Sequence, residues 1–196
     1  ELMEKTVYLN SKDAVREEYI SEEYRNKIIN MGTSHNGFPE KLKGYSLKSV
    51  GDDRYNPKER ADSNFFFNKK YVELNTKLQT LLGTFHNALC TVYPPGGFIG
   101  WHNNANASAY NLIFTWSEIG DGYWKHIDPN TNEEVLVQDV PGWQCKAFYF
   151  GAYEDDPKDI VYHMASTDCW RMTISYVFDR KHKDYWLDVI EEIETP

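Results

Sequence analysis

The chain has 196 residues, 41% of them hydrophobic and 15% aromatic, which is enough apolar material for one well-packed domain and too much for a disordered chain. Its formal net charge of −9 argues against a broad nucleic-acid-binding face, because such footprints are basic overall. Cys90, Cys145 and Cys169 are too few and too scattered for a disulfide framework or a zinc cluster; with no apolar run of membrane-spanning length and no visible secretory signal, they read as small buried thiols of a cytoplasmic protein.

In chain order, residues 11–31 read as one or two short helices, with Ser11 and Ser21 as caps and Gly32 as a stop. Residues 33–62 hold Gly, Pro, Asn, Asp and Ser and read as a long irregular segment, of the kind that often forms a binding loop or lid. Residues 63–82 carry Tyr71, Leu74, Leu78, Leu81 and Leu82 at helical spacing, and Gly83 ends the run.

From about 86 to 178 the pattern changes to short extended runs: 86–93, 98–104, 109–116, 122–127, 134–138, 144–150, 160–164 and 170–178. Turn signals separate them, which suggests a double-sheet jelly roll or a related barrel. Residues 183–194 read as a closing helix. The expected layout is a single domain over 1–196. Residues 1–62 form an N-terminal segment, 63–83 a supporting helix, 86–180 a jelly-roll core (a double-stranded β-helix, cupin-like) and 183–194 a C-terminal helix.

Alternation within the strands carries information. One face of 170–178 is Trp170, Met172, Ile174, Tyr176 and Phe178, and the other is Arg171, Thr173, Ser175 and Val177. In 109–116, Tyr110, Leu112, Phe114 and Trp116 share a face opposite Asn111 and Thr115. A solvent-facing sheet would show this pattern. So would a barrel with an apolar outer face under helices and a polar interior, which helix 63–82 favours because it needs a sheet to cover.

The stretch from Tyr93 to Asn104 is the richest in chemistry. A Pro-Gly turn follows Tyr93, and His102 and Asn104 then stand two apart in an extended run, so both can face one point while Asn103 faces away. His163 and Arg171 lie in later runs. Two histidines and a third polar residue are the skeleton of a non-haem iron site, although Asn104 stands where a carboxylate is usual. A 2-oxo acid on such a metal needs a planar cation and a hydroxyl at its far end, and Arg171 and Thr173 offer both. Asn111 and Tyr93 are further candidates on the pocket wall.

These residues resemble the 2-oxoglutarate- and iron(II)-dependent oxygenases, in particular their prolyl-hydroxylase-like and AlkB-like branches. That family's motif is a Tyr-x-x-Gly with a His-x-Asp beginning nine residues after the tyrosine. Here Tyr93 and Gly96 lead to His102 at that spacing, and His163 precedes Arg171 by eight. The run 141–148 also looks like the Gly-led strand before the distal histidine, and small phage-encoded members are similar in size and layout. The resemblance covers about 86–180. It implies iron(II) held by His102, Asn104 and His163, with 2-oxoglutarate held by Arg171, Thr173, Tyr93 and Asn111. It also implies hydroxylation or demethylation of a small molecule, peptide or modified nucleotide, with His102, His163 and Arg171 as the catalytic set. Asn104 departs from the family. It leaves open a weaker His-Asn-His oxygenase, a changed chemistry, or a site that no longer turns over.

Blander readings stand beside these. His102 could be a hydrogen-bonded strand histidine, and Tyr93 plain core. His86 and His126 read as structural or exposed, and His35 and His182 as solvated. Asp155 and Asp156 read as a turn, and Glu191, Glu192 and Glu194 as a solvated helix face. A non-catalytic module with Tyr123, Trp124 and Trp143 lining a ligand groove is the reading from a different class. An inward Arg171 demands an anionic partner in either case.

Overall fold

A computed structural model describes residues 8–10, 14–46, 65–84, 86–107 and 110–195. Ser11, residues 47–64 and Ala109 lie outside them, as do the side chains of Tyr71 and His86.

Among the described residues ten strands follow in order: β1 (Tyr8–Asn10), β2 (Leu42–Ser46), β3 (His86–Tyr93), β4 (Gly97–His102), β5 (Tyr110–Ser117), β6 (Gly122–Ile127), β7 (Glu134–Gln138), β8 (Gly142–Tyr149), β9 (His163–Thr167) and β10 (Arg171–Phe178). The α-helices described are α1 (Arg16–Tyr19), α2 (Glu22–Met31), α3 (Phe65–Leu82) and α4 (Lys183–Glu194). The lateral order is β7-β6-β9-β4-β2-β3-β10-β5-β8, all antiparallel, with β1 paired to β2. This is a jelly roll, with β7-β6-β9-β4 as one wall and β3-β10-β5-β8 as the other.

Strand β2 is a finding against the sequence reading, which took residues 33–62 as irregular. Its first residues, Leu42 and Lys43, pair with β4 and its last, Tyr45 and Ser46, with β3, joining the two walls, while β1 pairs along its other edge. Its sequence, Leu-Lys-Gly-Tyr-Ser, carries two polar residues and a glycine, so its strand state comes from two waiting sheet edges rather than from propensity.

Helices cover the apolar outer faces. Tyr19, Tyr24 and Ile28 of α1 and α2 pack on Phe98, Trp101, Ile127 and Met164 of the first wall. Leu78 and Leu82 of α3 pack against Cys90, Ile174 and Tyr176, and Trp186 of α4 against Leu112 and Phe178. Ser21 caps α2 by accepting the Tyr24 N–H at 3.1 Å, and Gly32 ends it at φ 53°. Two expectations for α3 fail: Leu74 and Leu81 are exposed, Leu81 by 77%. The helix presents a narrower stripe than its leucines suggest. Cys90 and Cys169 are buried as expected, whereas Cys145 is exposed on the outer face of edge strand β8. Among the described residues no helix is long and apolar enough to cross a membrane.

The space between the walls is divided. Tyr93, Ile99, Trp124, Phe150, Val161 and Ala165 form an apolar cluster on the β4-β9-β6 side. The inner face of the other wall is polar at one end, where Arg171, Thr173 and Ser175 of β10 pair across to Ser117, Thr115 and Ile113 of β5, while Ile113 and Phe148 pack against the apolar cluster. The three β5 residues in turn pair to Gly142, Gln144 and Lys146 of β8. Apolar outside and polar inside is the barrel arrangement that the alternation favoured.

Candidate metal centre and anion site

A bulge in β4 sets the first histidine. Ile99 faces the interior cluster, yet Trp101, two residues on, packs outward with α1 and α2, its indole N–H donating to the Ile20 carbonyl at 3.1 Å. The pairing of β4 with β9 shifts between Ile99 and His102, and this shift turns His102 inward. His163, which opens β9, stands directly across from it.

The two imidazoles lie with centroids 4.2 Å apart. Each is fixed in the same way. His102 Nδ1 is 2.8 Å from the Gly100 carbonyl and His163 Nδ1 is 3.0 Å from the Val161 carbonyl. A carbonyl only accepts, so Nδ1 carries the proton in both rings and Nε2 is left with its lone pair. Burial pushes His102 down to about 4, and burial together with the neighbouring His102 pushes His163 well below the ordinary imidazole value. Both rings are therefore neutral at pH 7 and suited to a metal.

Asn104 lies two residues beyond His102, past the strand end and half-buried; its carbonyl accepts the Ala107 N–H at 2.8 Å. Its side chain makes no hydrogen bond among the described residues. Asn103 has a separate role. It is fully buried, and its Oδ1 accepts the Ala105 N–H at 2.9 Å and the Tyr153 hydroxyl at 2.8 Å. Asn103 thus clamps the turn that presents Asn104. Among the described residues no third His, Cys, Asp or Glu converges on the histidine pair.

Arg171 opens β10 on the polar inner face and is buried. Its anionic partner is within the chain. Nε donates to Asp139 Oδ2 at 2.6 Å, and Nη1 donates to Thr173 Oγ1 at 2.7 Å. The guanidinium lies 5.8 Å from the Tyr93 ring centroid, and burial pushes the Tyr93 phenol up to about 12. Asp139 also accepts from Gln144 Nε2 at 3.1 Å and lies 3.6 Å from Lys146 Nζ, which itself donates to Gln144 Oε1 at 3.0 Å. Asn111 is buried on the same wall and accepts the Ser175 hydroxyl at 2.8 Å. Phe150 packs on His163 at 4.5 Å and shares an apolar cluster with Tyr93.

Sequence reasoning missed Asp139, Lys146 and Gln144. Asp139 reads as part of a turn before Pro141-Gly142, and strand β8 alternates polar and apolar residues too weakly to mark an inner face. One histidine differs from expectation: His35 is buried rather than solvated, its Nδ1 accepting the Gly37 N–H at 3.1 Å. His126, expected to be structural or exposed, is buried and stacked on Trp124 at 4.4 Å, and its Nδ1 has no hydrogen-bond partner among the described residues. Asp155 and Asp156 serve a turn: Asp155 pairs with Arg180 and Asp156 caps a short helix at Pro157–Asp159. Tyr123, Trp124 and Trp143 do not line one groove: Tyr123 packs with the outer cluster, Trp124 lies in the interior, and Trp143 is 55% exposed on β8.

No family model and no curated protein matches this chain. Among solved structures it is similar to a prolyl-4-hydroxylase of Pseudomonas putida at 13% identity, over 81% of this chain and 85% of that one, with a TM-score of 0.36. It is similar to the viral collagen prolyl hydroxylase of Paramecium Bursaria Chlorella virus-1, in a 2OG complex, at 10% identity over 81% and 91%, with a TM-score of 0.34. It also matches Peruvianin-I, a cysteine peptidase of Thevetia peruviana latex, at 14% identity and a TM-score of 0.32, over 45% of this chain and about half (47%) of that one. At such scores the likenesses carry no chemistry, which rests on the side chains themselves.

Proposed function

We propose that the chain is an iron(II)- and 2-oxoglutarate-dependent oxygenase acting by hydroxylation or demethylation. The observation that carries this reading is the inward pair of neutral, buried histidines, each with Nδ1 spent on a backbone carbonyl and Nε2 left over. His102 and His163 would hold the metal, with Asn104, two residues beyond His102, as the candidate third donor. Iron(II) and the 2-oxo acid would together supply oxygen activation coupled to oxidative decarboxylation. The chain's own part is placement. The Gly100 and Val161 carbonyls hold the rings, Asn103 holds the turn, and Phe150 and Trp124 keep water from the imidazoles. Arg171 and Thr173, with Tyr93 and Asn111 beside them, would take the distal carboxylate of the co-substrate.

The test is an anaerobic titration with iron(II) and then 2-oxoglutarate. A visible charge-transfer band of the chelated acid is expected in the wild type and lost in His163→Ala. A full-strength band in that variant removes His163 from the site. A second reading, a ligand-binding module whose metal site does not turn over, is favoured by the neutral Asn104. It predicts the same band without oxygen-dependent consumption of 2-oxoglutarate.

A further inference from the structure

We infer that His126 is a third metal ligand, which completes with His102 and His163 a row of inward imidazoles across β6, β9 and β4. The inference rests on the metal site proposed above and departs from it in one respect. The third donor comes from β6 and is a nitrogen, where the turn after β4 offers only the amide oxygen of Asn104.

Three observations support it. The first is register. Strand β9 runs between β4 and β6, and His163 stands directly across from His102 on one side and from His126 on the other. Residues directly opposite in an antiparallel pair share a face, with Cβ atoms about 5 Å apart. Both flanking histidines are thus rooted close enough to His163 to share one ion with it, given metal–nitrogen bonds of about 2.1 Å.

The second is an orphan. His126 is 8% exposed, and its Nδ1 is enclosed with no hydrogen bond among the described residues. His102 and His163 each spend Nδ1 on a backbone carbonyl; the Nδ1 of His126 has no such carbonyl. A buried polar atom without a partner calls for an explanation, and a missing ion is one of the ordinary ones. Burial also lowers His126, so the ring is neutral at pH 7 and one nitrogen keeps its lone pair.

The third is what holds the ring. His126 stacks on Trp124 at 4.4 Å and meets Phe148 edge-on at 5.0 Å. As placed it does not converge on the histidine pair, and aromatic contacts keep it where it is. Turning the imidazole toward His163 gives up no hydrogen bond at Nδ1 and provides a partner for an unused lone pair. The donor type favours the move, because imidazole suits iron and zinc whereas a carbonyl oxygen suits magnesium and calcium.

The experiment uses the full chain with isotope-labelled histidine and zinc(II) alone as a diamagnetic probe. Nitrogen NMR of the assigned imidazoles should show the rings of His102, His163 and His126 all shifting together with one equivalent of zinc. A shift of His102 and His163 with His126 unmoved overturns the inference, and this readout needs no variant to fold.

Iron(II) affinity, measured by competition with a chelator, gives the second reading. His126→Phe keeps an aromatic ring on Trp124 and should weaken iron(II) by more than the roughly 10–100-fold that loss of an outer-shell partner costs. Asn104→Ala should cost less, and His182→Gln, on the exposed surface, should cost nothing. Unchanged affinity in His126→Phe, or a larger loss in Asn104→Ala, overturns the third-ligand role. Failure of the oxygenase reading looks different: all three rings shift with zinc, while 2-oxoglutarate gives no charge-transfer band with iron(II). A band in the wild type with His126 unmoved by zinc leaves the oxygenase reading standing and removes this inference alone.

Discussion

Replacing Asn104 by Asp keeps the side-chain shape and adds a full negative charge beside the candidate metal. If Asn104 faces the histidine pair, Asn104→Asp should tighten iron(II) binding, measured by competition with a chelator, and should leave the fold intact. Unchanged affinity would mean that the turn after β4 aims Asn104 elsewhere. Asp139 allows a sharper stability test. Its carboxylate is fully buried against Arg171 at 2.6 Å, and breaking such a pair from one side costs about 3–5 kcal/mol because a buried charge is stranded. Asp139→Asn should therefore lower the denaturation midpoint strongly. The double change Asp139→Leu with Arg171→Met removes both charges and should cost less than the single change. If the double variant is the less stable, the pair does not behave as a buried ion pair.

At the scale of elements, the site depends on two devices: the β4 bulge and the packing of the N-terminal segment on the turn after it. Gly37 sits at φ 82°, and a Cβ there would lie 2.3 Å from Ala105 Cβ, in the turn that carries Asn104. Gly142, at φ 85°, has nothing within 4 Å of its missing Cβ. Gly142→Ala should cost only the backbone strain, about 1 kcal/mol. Gly37→Ala adds a clash that cannot be relieved without moving the turn, so it should cost more and also weaken metal binding. Equal losses in thermal unfolding would show that the segment gives way easily.

The same elements show how far the sequence could be read. Strands β3, β6 and β7 match their predicted bounds, because alternation and flanking turn residues are local signals. His102, His163 and Arg171 were legible for a related reason: a polar residue on an apolar strand needs a partner, and these three share an interior. Strand β2 was not legible, since its pairing is supplied by distant edges. The β4 bulge was not either, because simple alternation puts Ile99 and Trp101 on one face. Asp139 needed the fold, since nothing in its neighbours links it to Arg171, 32 residues away.

For the whole molecule, the buried histidines and the surface carboxylates push stability in one direction with pH. An unfolded histidine titrates near 6.5, whereas His102 in the folded chain is lowered to about 4 by burial, and His163 is lowered well below its ordinary value. Between these values the unfolded chain binds more protons than the folded one, so stability rises with pH across that window and falls as the solution is acidified. For His102 alone the full effect is on the order of 3 kcal/mol. Surface carboxylates act lower: Asp155, paired with Arg180, and Asp128, accepting backbone N–H groups, are depressed and lose their contribution only as pH falls through the acid range. The metal-free chain should therefore begin to lose stability near pH 6.5, well before carboxylate protonation begins. Thermal unfolding from pH 8 to pH 4 tests this, with a His102→Gln, His163→Gln double variant as the comparison. The double variant should reduce the slope between pH 6.5 and 5, leaving the part owed to His35 and His126, which burial also lowers, while keeping the drop below it. A wild-type midpoint that holds level down to pH 5 would mean the imidazoles are open to water in solution, and the dry histidine pair on which the metal centre depends would not exist.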